Sequence, residues 1–415
     1  MKLIPVNPMI SAIPCHGKDG RSFRRFENVL AVTLVCWMSA ASPSELLSAP
    51  AIPLPSAHDV SYRNELGLGI ERGLAWLASN QNSNGWWSTP DQPAITALAL
   101  LAFRGAPGDR HRNLNSPVQS KGYAFLLSCA RPDGGIHRSS LVTYNTSISM
   151  LALLATDRAH DEPVILRARQ FLVGLQRDFG EPGKADSPFD GGIGYGSKYD
   201  HSDMGNTSQA LEALYFSKRL LRDKDLAGAK DLDWDALVHF LQSCQNLPSH
   251  NKERWASDAP ENKGGFVYYP GHSMAGGETN SVTGRVALRS YGSISYAGMM
   301  SYLYADLKRD DSRVTAVFDW LRQNYTLQEN PGMGQQGLYY YFHTMAKALT
   351  IYGAAHLDLP GGRKVAWRRE LGDRLLNLQQ KDGSWVSDTA RWLERDPALV
   401  TAYAVLTLNM IHRGL

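Results

Sequence analysis

A histidine and, one helical turn later, a lysine stand out in the run FHTMAKAL: His343 and Lys347. Residues four apart share a helix face, so an imidazole that titrates near neutrality would meet an ammonium there. His343 directly precedes a Thr that opens an apolar run, and the same kind of position elsewhere holds Ile95, Asn145, Asn206, Ile294 and Val400. Asn145, Asn206 and His343 break that apolar series, and with Tyr296 they form the candidate catalytic set. Neighbouring segments supply hydroxyls and charge through Tyr144, Tyr195, Asp203, Tyr268 and Arg289. Tyr340, Tyr341 and Lys347 complete the residues expected to bind ligand. A cavity lined by rings, with few polar groups, suits an isoprenoid or another large apolar molecule, because ring faces can stabilise positive charge. The same Tyr, His, Asn and Arg types also suit a polysaccharide lyase or hydrolase, where Tyr or His abstracts a proton and Arg neutralises a uronate. A third reading is a noncatalytic scaffold whose tyrosines pack over helix ends with their hydroxyls in water.

These residues are far apart in the chain, so repeated elements must bring them together. Amphipathic segments ending in an aromatic or Leu followed by Leu occur at Trp76-Leu77, Phe125-Leu126, Phe171-Leu172, Phe240-Leu241, Trp320-Leu321 and Leu375-Leu376. A glycine turn follows each, at Gly85, Gly134, Gly191, Gly264, Gly337 and Gly383, where glycine stops the helix. A second helix then opens near Thr96, Thr146, Thr207, Ser295, Thr344 or Thr401. Those hydroxyls fit capping of the first helical turn, and a side chain facing the next turn would serve equally. The second helices, such as TALALLAF from Thr96 and TAYAVLTL from Thr401, are apolar nearly all round and must be buried on several sides. Six half-exposed helices alternating with six buried ones predict an all-α (α/α)6 toroid over 67–415, with the buried helices inside and their starts at one mouth; an open superhelical array is the alternative, since periodicity alone does not show closure.

The first unit reads RGLAWLASNQNSNGWW from Arg72 and the last LLNLQQKDGSW from Leu375. These resemble the Gln-Trp repeats of the prenyltransferase and squalene oxidase repeat family, which includes the squalene-hopene and oxidosqualene cyclases. On that resemblance, Gln81 pairs with Trp86 or Trp87 and Gln380 with Trp385, while Gln176 and Gln245 belong to looser middle units. The resemblance implies a terpene cyclase-like ring with a central cavity and, if the protein is an enzyme, an isomerase or cyclase. The family's chemistry does not carry over. No D-x-D-D acid motif occurs; the nearest string is Asp231, Asp233 and Asp235 at the start of an outer helix, where carboxylates favour the helix dipole. Zinc ligation as in protein prenyltransferases requires Asp and Cys where GRVALRSYGSISYAG offers Ser and Tyr, and one imidazole cannot hold zinc. Asp310-Asp311 is followed by Ser312 and Arg313, so DDxxD fails too. No metal and no cofactor is expected. Asp200, His201 and Asp203 read as a solvated acidic stretch ahead of a helix rather than a metal site. PGHSMAGGETNSVTG, from Pro270, lacks a phosphate-loop Lys and reads as a lid or ordered surface loop.

The 415 residues are 43% hydrophobic and 20% charged, a globular balance. A net charge of +3 without a dense basic run excludes nucleic acid as a partner. Lys18, Arg21, Arg24 and Arg25 precede an apolar stretch from Val29 to Ala41, so residues 1–42 read as an export leader and 43–66 as a linker. A periplasmic or extracellular protein with peripheral membrane contact is compatible with an apolar ligand. Cys129 and Cys244 occupy equivalent places in two units, which predicts two separate buried thiols and no disulfide.

Overall fold

The structure is a computed structural model and describes residues 57–197, 199–221 and 230–415. The leader and the linker up to residue 56 lie outside the described residues. Among the described residues, twelve α-helices alternate between an outer and an inner ring. The outer helices are α1 (Ala57–Ser79), α3 (Pro117–Ser128), α5 (Glu162–Val173), α7 (Trp234–Ser243), α9 (Ser312–Gln323) and α11 (Trp367–Leu378). The inner helices are α2 (Pro93–Gly105), α4 (Val142–Leu154), α6 (Met204–Ser217), α8 (Gly292–Tyr304), α10 (Leu338–Tyr352) and α12 (Pro397–Arg413). Each inner helix packs on the next, and α12 packs on α2, so the ring is closed. Inner helices are buried along almost their whole length, whereas outer helices bury one face, as their apolar patterns require.

The first helix starts ten residues before the position expected at Gly67. Tyr62, Leu66, Ile70 and Leu74 recur at every fourth position and are all buried, so the apolar stripe already runs through the segment taken as linker. The Tyr62 hydroxyl also donates to Arg369 O of α11 at 2.9 Å.

Two side-chain series hold the hairpins. Five of the six Thr/Ser hydroxyls accept from the backbone N–H that follows their own unit's glycine turn: Thr96 from Trp87, Thr146 from Ile136, Thr207 from Ile193, Ser295 from Phe266 and Thr401 from Trp385, at 2.9–3.1 Å. They are therefore bolts to the glycine turn, and the helices begin three or more residues earlier. In the fifth unit Thr344 bonds back to Tyr340 O at 2.8 Å, and Gly337 is the N-cap of α10 with φ 68°, not the stop of an outer helix.

The glutamines link neighbouring outer helices. Gln81 donates to Gly85 O and Val118 O, both at 2.9 Å, and Gln176 to Gly191 O and Asp233 O at 3.0 and 2.8 Å. Gln245 donates to Gly264 O and Arg313 O, both at 2.9 Å. In the last unit the linking residue is Gln379, which reaches Gly383 O and Gly69 O at 2.9 Å and fastens α11 to α1. Gln380, the expected partner, is exposed and bonds only to Leu378 O with its amide. Gln81 and Gln379 both stand four residues before their glycine, a spacing that separates the two adjacent glutamines. Trp87 and Trp385 complete the ties by donating to Leu77 O and Leu375 O at 2.7 and 2.8 Å.

Cys129 and Cys244 are free, buried and at the ends of α3 and α7, the equivalent places expected of them. The fourth loop is ordered around an antiparallel pair, β1 (Gly277–Thr279) with β2 (Val286–Leu288). A second short pair joins β3 (Leu357–Asp358) and β4 (Lys364–Val365). No described helix is long and apolar enough to cross a membrane.

Candidate functional site

Six inner-helix N-termini converge on one face of the ring, around a cavity of about 180 Å³. The third residue of every inner helix lines it: Ile95, Tyr144, Asn206, Ile294, Tyr340 and Leu399. The expected column agreed at Ile95, Asn206 and Ile294. It was one residue off at Asn145 and Val400 and three at His343, because the Thr/Ser bolts sit at different distances from their helix starts. Tyr195 and Tyr268 close one side, and Trp392 and Leu393 stand at the mouth.

At least one backbone donor at each of these N-termini is already engaged. Asn145 Oδ1 accepts from Ala94 N at 3.0 Å, Asp203 Oδ1 from Asn206 N at 2.8 Å and Asn330 Oδ1 from Ser293 N at 2.9 Å. Glu394 Oε1 accepts from Tyr340 N at 2.8 Å, Asp396 Oδ1 from Ala398 N at 2.9 Å and Tyr195 O from Thr143 N at 3.3 Å. A diphosphate seeking free N–H groups at a helix start would meet these acceptors instead. The cavity is suited to an uncharged ligand.

Asp203 is fully buried behind Asn206 and Tyr268, with its second oxygen accepting from Asn206 Nδ2 at 2.8 Å. Burial pushes its carboxyl up to about 6, although the Asn206 bonds and the nearby Tyr268 hydroxyl favour the charged form. The Tyr268 hydroxyl pairs with that of Tyr195 at 2.7 Å, so a short polar chain leads from Asp203 to the cavity wall.

Below this chamber, toward the helix C-termini, lies a second one of about 70 Å³. His343 lines it, fully desolvated, with its Nδ1 unpartnered. Burial, aided by the Lys347 ammonium, drives the imidazole well below its ordinary pKa and keeps it neutral. Lys347 faces the same chamber and forms a buried ion pair with Glu212 across the ring. Gln209, Tyr340 and Tyr403 border both chambers and form the floor between them. The Tyr403 hydroxyl pairs with that of Tyr144 at 2.9 Å, and its ring lies 5.2 Å from His343.

Other candidates lie outside the chambers. Asn145 spends its side chain on Ala94 N, Ser140 O and Gln92, capping α2. Tyr296 packs on Tyr341, whose hydroxyl donates to Thr326 O at 2.9 Å. Arg289 is half exposed and bound to Glu278 beside the β1–β2 pair, far from the uronate-neutralising position expected of it. Asp200 is 93% exposed near Arg177 and stands apart from Asp203, while His201 lies tilted against Tyr269 with ring centroids 4.4 Å apart and acts on Asp203 only through its charge. Among the described residues no group of three or more His, Cys, Asp or Glu is placed to hold a metal. Asp233 caps α7 through Ala236 N, the helix-start role expected of this acidic string, whereas Asp231 pairs instead with Arg169 of α5.

Sequence reasoning missed Gln209, Glu212, Tyr403 and Glu394. The first two had a legible signal, since a polar residue inside a helix apolar on all sides needs a buried partner. Glu394 had none, as only the folded loop aims it at α10. Its Oε2 is buried without a partner, and burial raises the carboxyl to about 7 despite N–H bonds from Tyr340, Tyr339 and Leu338. Between about pH 4.5 and 7 the folded chain therefore holds a proton that the unfolded chain has lost, so this group's contribution to stability falls as pH rises. Glu394→Gln is expected to gain on the wild type by up to about 3 kcal/mol between pH 5 and pH 8. Melting temperatures of both proteins at four pH values check this, and a constant difference would contradict it.

No known protein-family profile matches the chain. Alpha-onocerin synthase of Lycopodium clavatum is 28% identical over 133 residues, a match covering 28% of this chain and only 17% of the synthase. A variant of the type II terpene cyclase MstE from Scytonema, solved with its substrate geranylgeranyl dihydroxybenzoate, superposes with TM-score 0.50 at 12% identity. That superposition covers 86% of this chain and 99% of the cyclase. Another MstE variant, holding the product merosterolic acid A, gives TM-score 0.49 at 12% identity over 86% and 99% of the two chains. The chain has a terpene cyclase-like fold.

Proposed function

We propose that the upper chamber binds the apolar end of an isoprenoid or a similar chain, in an exported protein whose mouth touches a membrane at its periphery. The observation that carries this reading is the lining: six inner-helix residues form a ring of aliphatic and aromatic surface interrupted by Asn206 and tyrosine hydroxyls, with no charged group among the lining residues. Such a surface favours hydrocarbon and gives direction through a few neutral polar contacts. Trp392 and Leu393 are 38% and 45% exposed at the mouth, where apolar side chains would dip into a lipid interface.

The acid behind Asn206 supports binding better than alkene protonation. Protonating an alkene calls for a strong acid, and Asp203, raised to about 6 and one layer behind the wall, is a weak one. Through Tyr268 and Tyr195 it is suited to exchanging a proton with a ligand oxygen near the mouth.

Incubating the purified protein with a membrane lipid extract and identifying what co-purifies by native mass spectrometry tests the reading. A prenyl lipid is expected, and Asn206→Leu with Tyr144→Phe should change which ones are retained. Recovery of no lipid, with binding to an acidic polysaccharide, would reverse the assignment in favour of a carbohydrate-active ring.

A further inference from the structure

The two chambers share part of their lining. Tyr340, Tyr403 and Gln209 border both the space of about 180 Å³ above and that of about 70 Å³ below. Tyr403 is braced from two sides: its hydroxyl is paired with Tyr144 at 2.9 Å, and its ring lies against Tyr340 at 5.9 Å and His343 at 5.2 Å. With 6% of its surface exposed, it cannot swing aside without breaking the hydroxyl pair and displacing one of those rings.

We propose that Tyr403 sets the length of chain that the ring accepts, an inference that rests on the isoprenoid-binding reading above. A cavity of about 150 Å³ holds a benzene molecule, so the upper chamber has room for about one to two five-carbon units. A longer chain meets the Tyr403 ring and leaves its remainder in the mouth. Beyond the ring the wall becomes favourable again, for Leu98, Leu101, Ile148, Leu151 and Leu406 line the lower chamber. The Glu212–Lys347 pair there satisfies its own charges and leaves hydrocarbon surface around it. Removing the floor would join the two spaces and bury a third unit that the wild type leaves in water, at a gain for each methylene enclosed.

The test is a titration of the full chain with geraniol, farnesol and geranylgeraniol, carrying two, three and four units, followed by calorimetry. For the wild type, affinity should change little from geraniol to farnesol. In Tyr403→Ala, farnesol should bind at least tenfold more tightly than geraniol, about 1.4 kcal/mol. Tyr403→Phe keeps the ring and should keep the wild-type ranking. Tyr340→Ala opens the floor from the other side and substitutes for Tyr403→Ala if that variant does not melt cooperatively. The proposal is overturned if the wild type already gains tenfold with the third unit, or if both alanine variants retain the wild-type ranking while binding geraniol. Absence of any prenyl alcohol binding by the wild type removes the isoprenoid reading itself, and the length limit with it.

Discussion

Gly191→Ala is expected to destabilise the protein by about 3–5 kcal/mol, combining left-handed backbone strain with a collision that cannot relax. Gly191 has φ +85°, and a Cβ there would stand 2.0 Å from the backbone carbonyl of Ala236 in α7. No rotamer change relieves contact with backbone, so α7 would have to move away from the turn. That movement would also stretch the Gln176 ties to Gly191 O and Asp233 O, which join the third and fourth hairpins. Gly183 provides the control, with φ +79° and nothing within 4 Å of an added Cβ. Gly183→Ala should cost only about 1 kcal/mol, from backbone strain alone. Chemical denaturation of the two variants measures the difference, and equal midpoints would show that the close approach to α7 carries no weight.

Lys347→Met should cost about 3–5 kcal/mol, because it strands a charge that the lower chamber cannot solvate. The side chains of Glu212 and Lys347 are 9% and 13% exposed and reach each other from α6 and α10. The double variant Glu212→Leu with Lys347→Met should recover most of that loss, since apolar replacements of similar size dispense with the desolvation cost of both ions. The single variant should also release His343 from the neighbouring ammonium and let its pKa rise from a strongly lowered value. Denaturation midpoints for the four proteins of this cycle give the coupling, and a His343 resonance followed by NMR gives the pKa. A single-variant cost below about 1 kcal/mol would mean that water already reaches the pair.

Much of the architecture was legible because helices report burial through spacing. The runs from Thr96 and Thr401 are apolar all round and became inner helices; the segments ending at Trp76-Leu77 and Trp320-Leu321 have one apolar face and became outer ones. The equivalence of Cys129 and Cys244 followed from the same alignment of units. The Tyr62, Leu66, Ile70 series carried the earlier start of α1 equally plainly, and the Ala- and Pro-rich composition before it concealed the stripe.

The site was less legible, and the reason is angular. A residue's facing on an inner helix turns by about 100° per position, so an error of one residue in the helix start exchanges Tyr144, which lines the chamber, for Asn145, which caps α2. Tyr296 and Tyr341 have the residue types of a site, yet they pack against each other away from both chambers. Types and periods along the chain determined that six helical hairpins would enclose an aromatic centre. Only the closed ring decided that Tyr403 would meet Tyr144, that Glu212 would find Lys347 and that Glu394 would cap α10. Those partners stand 54 to 259 residues apart, and no local pattern sets the rotation that brings two distant helices face to face.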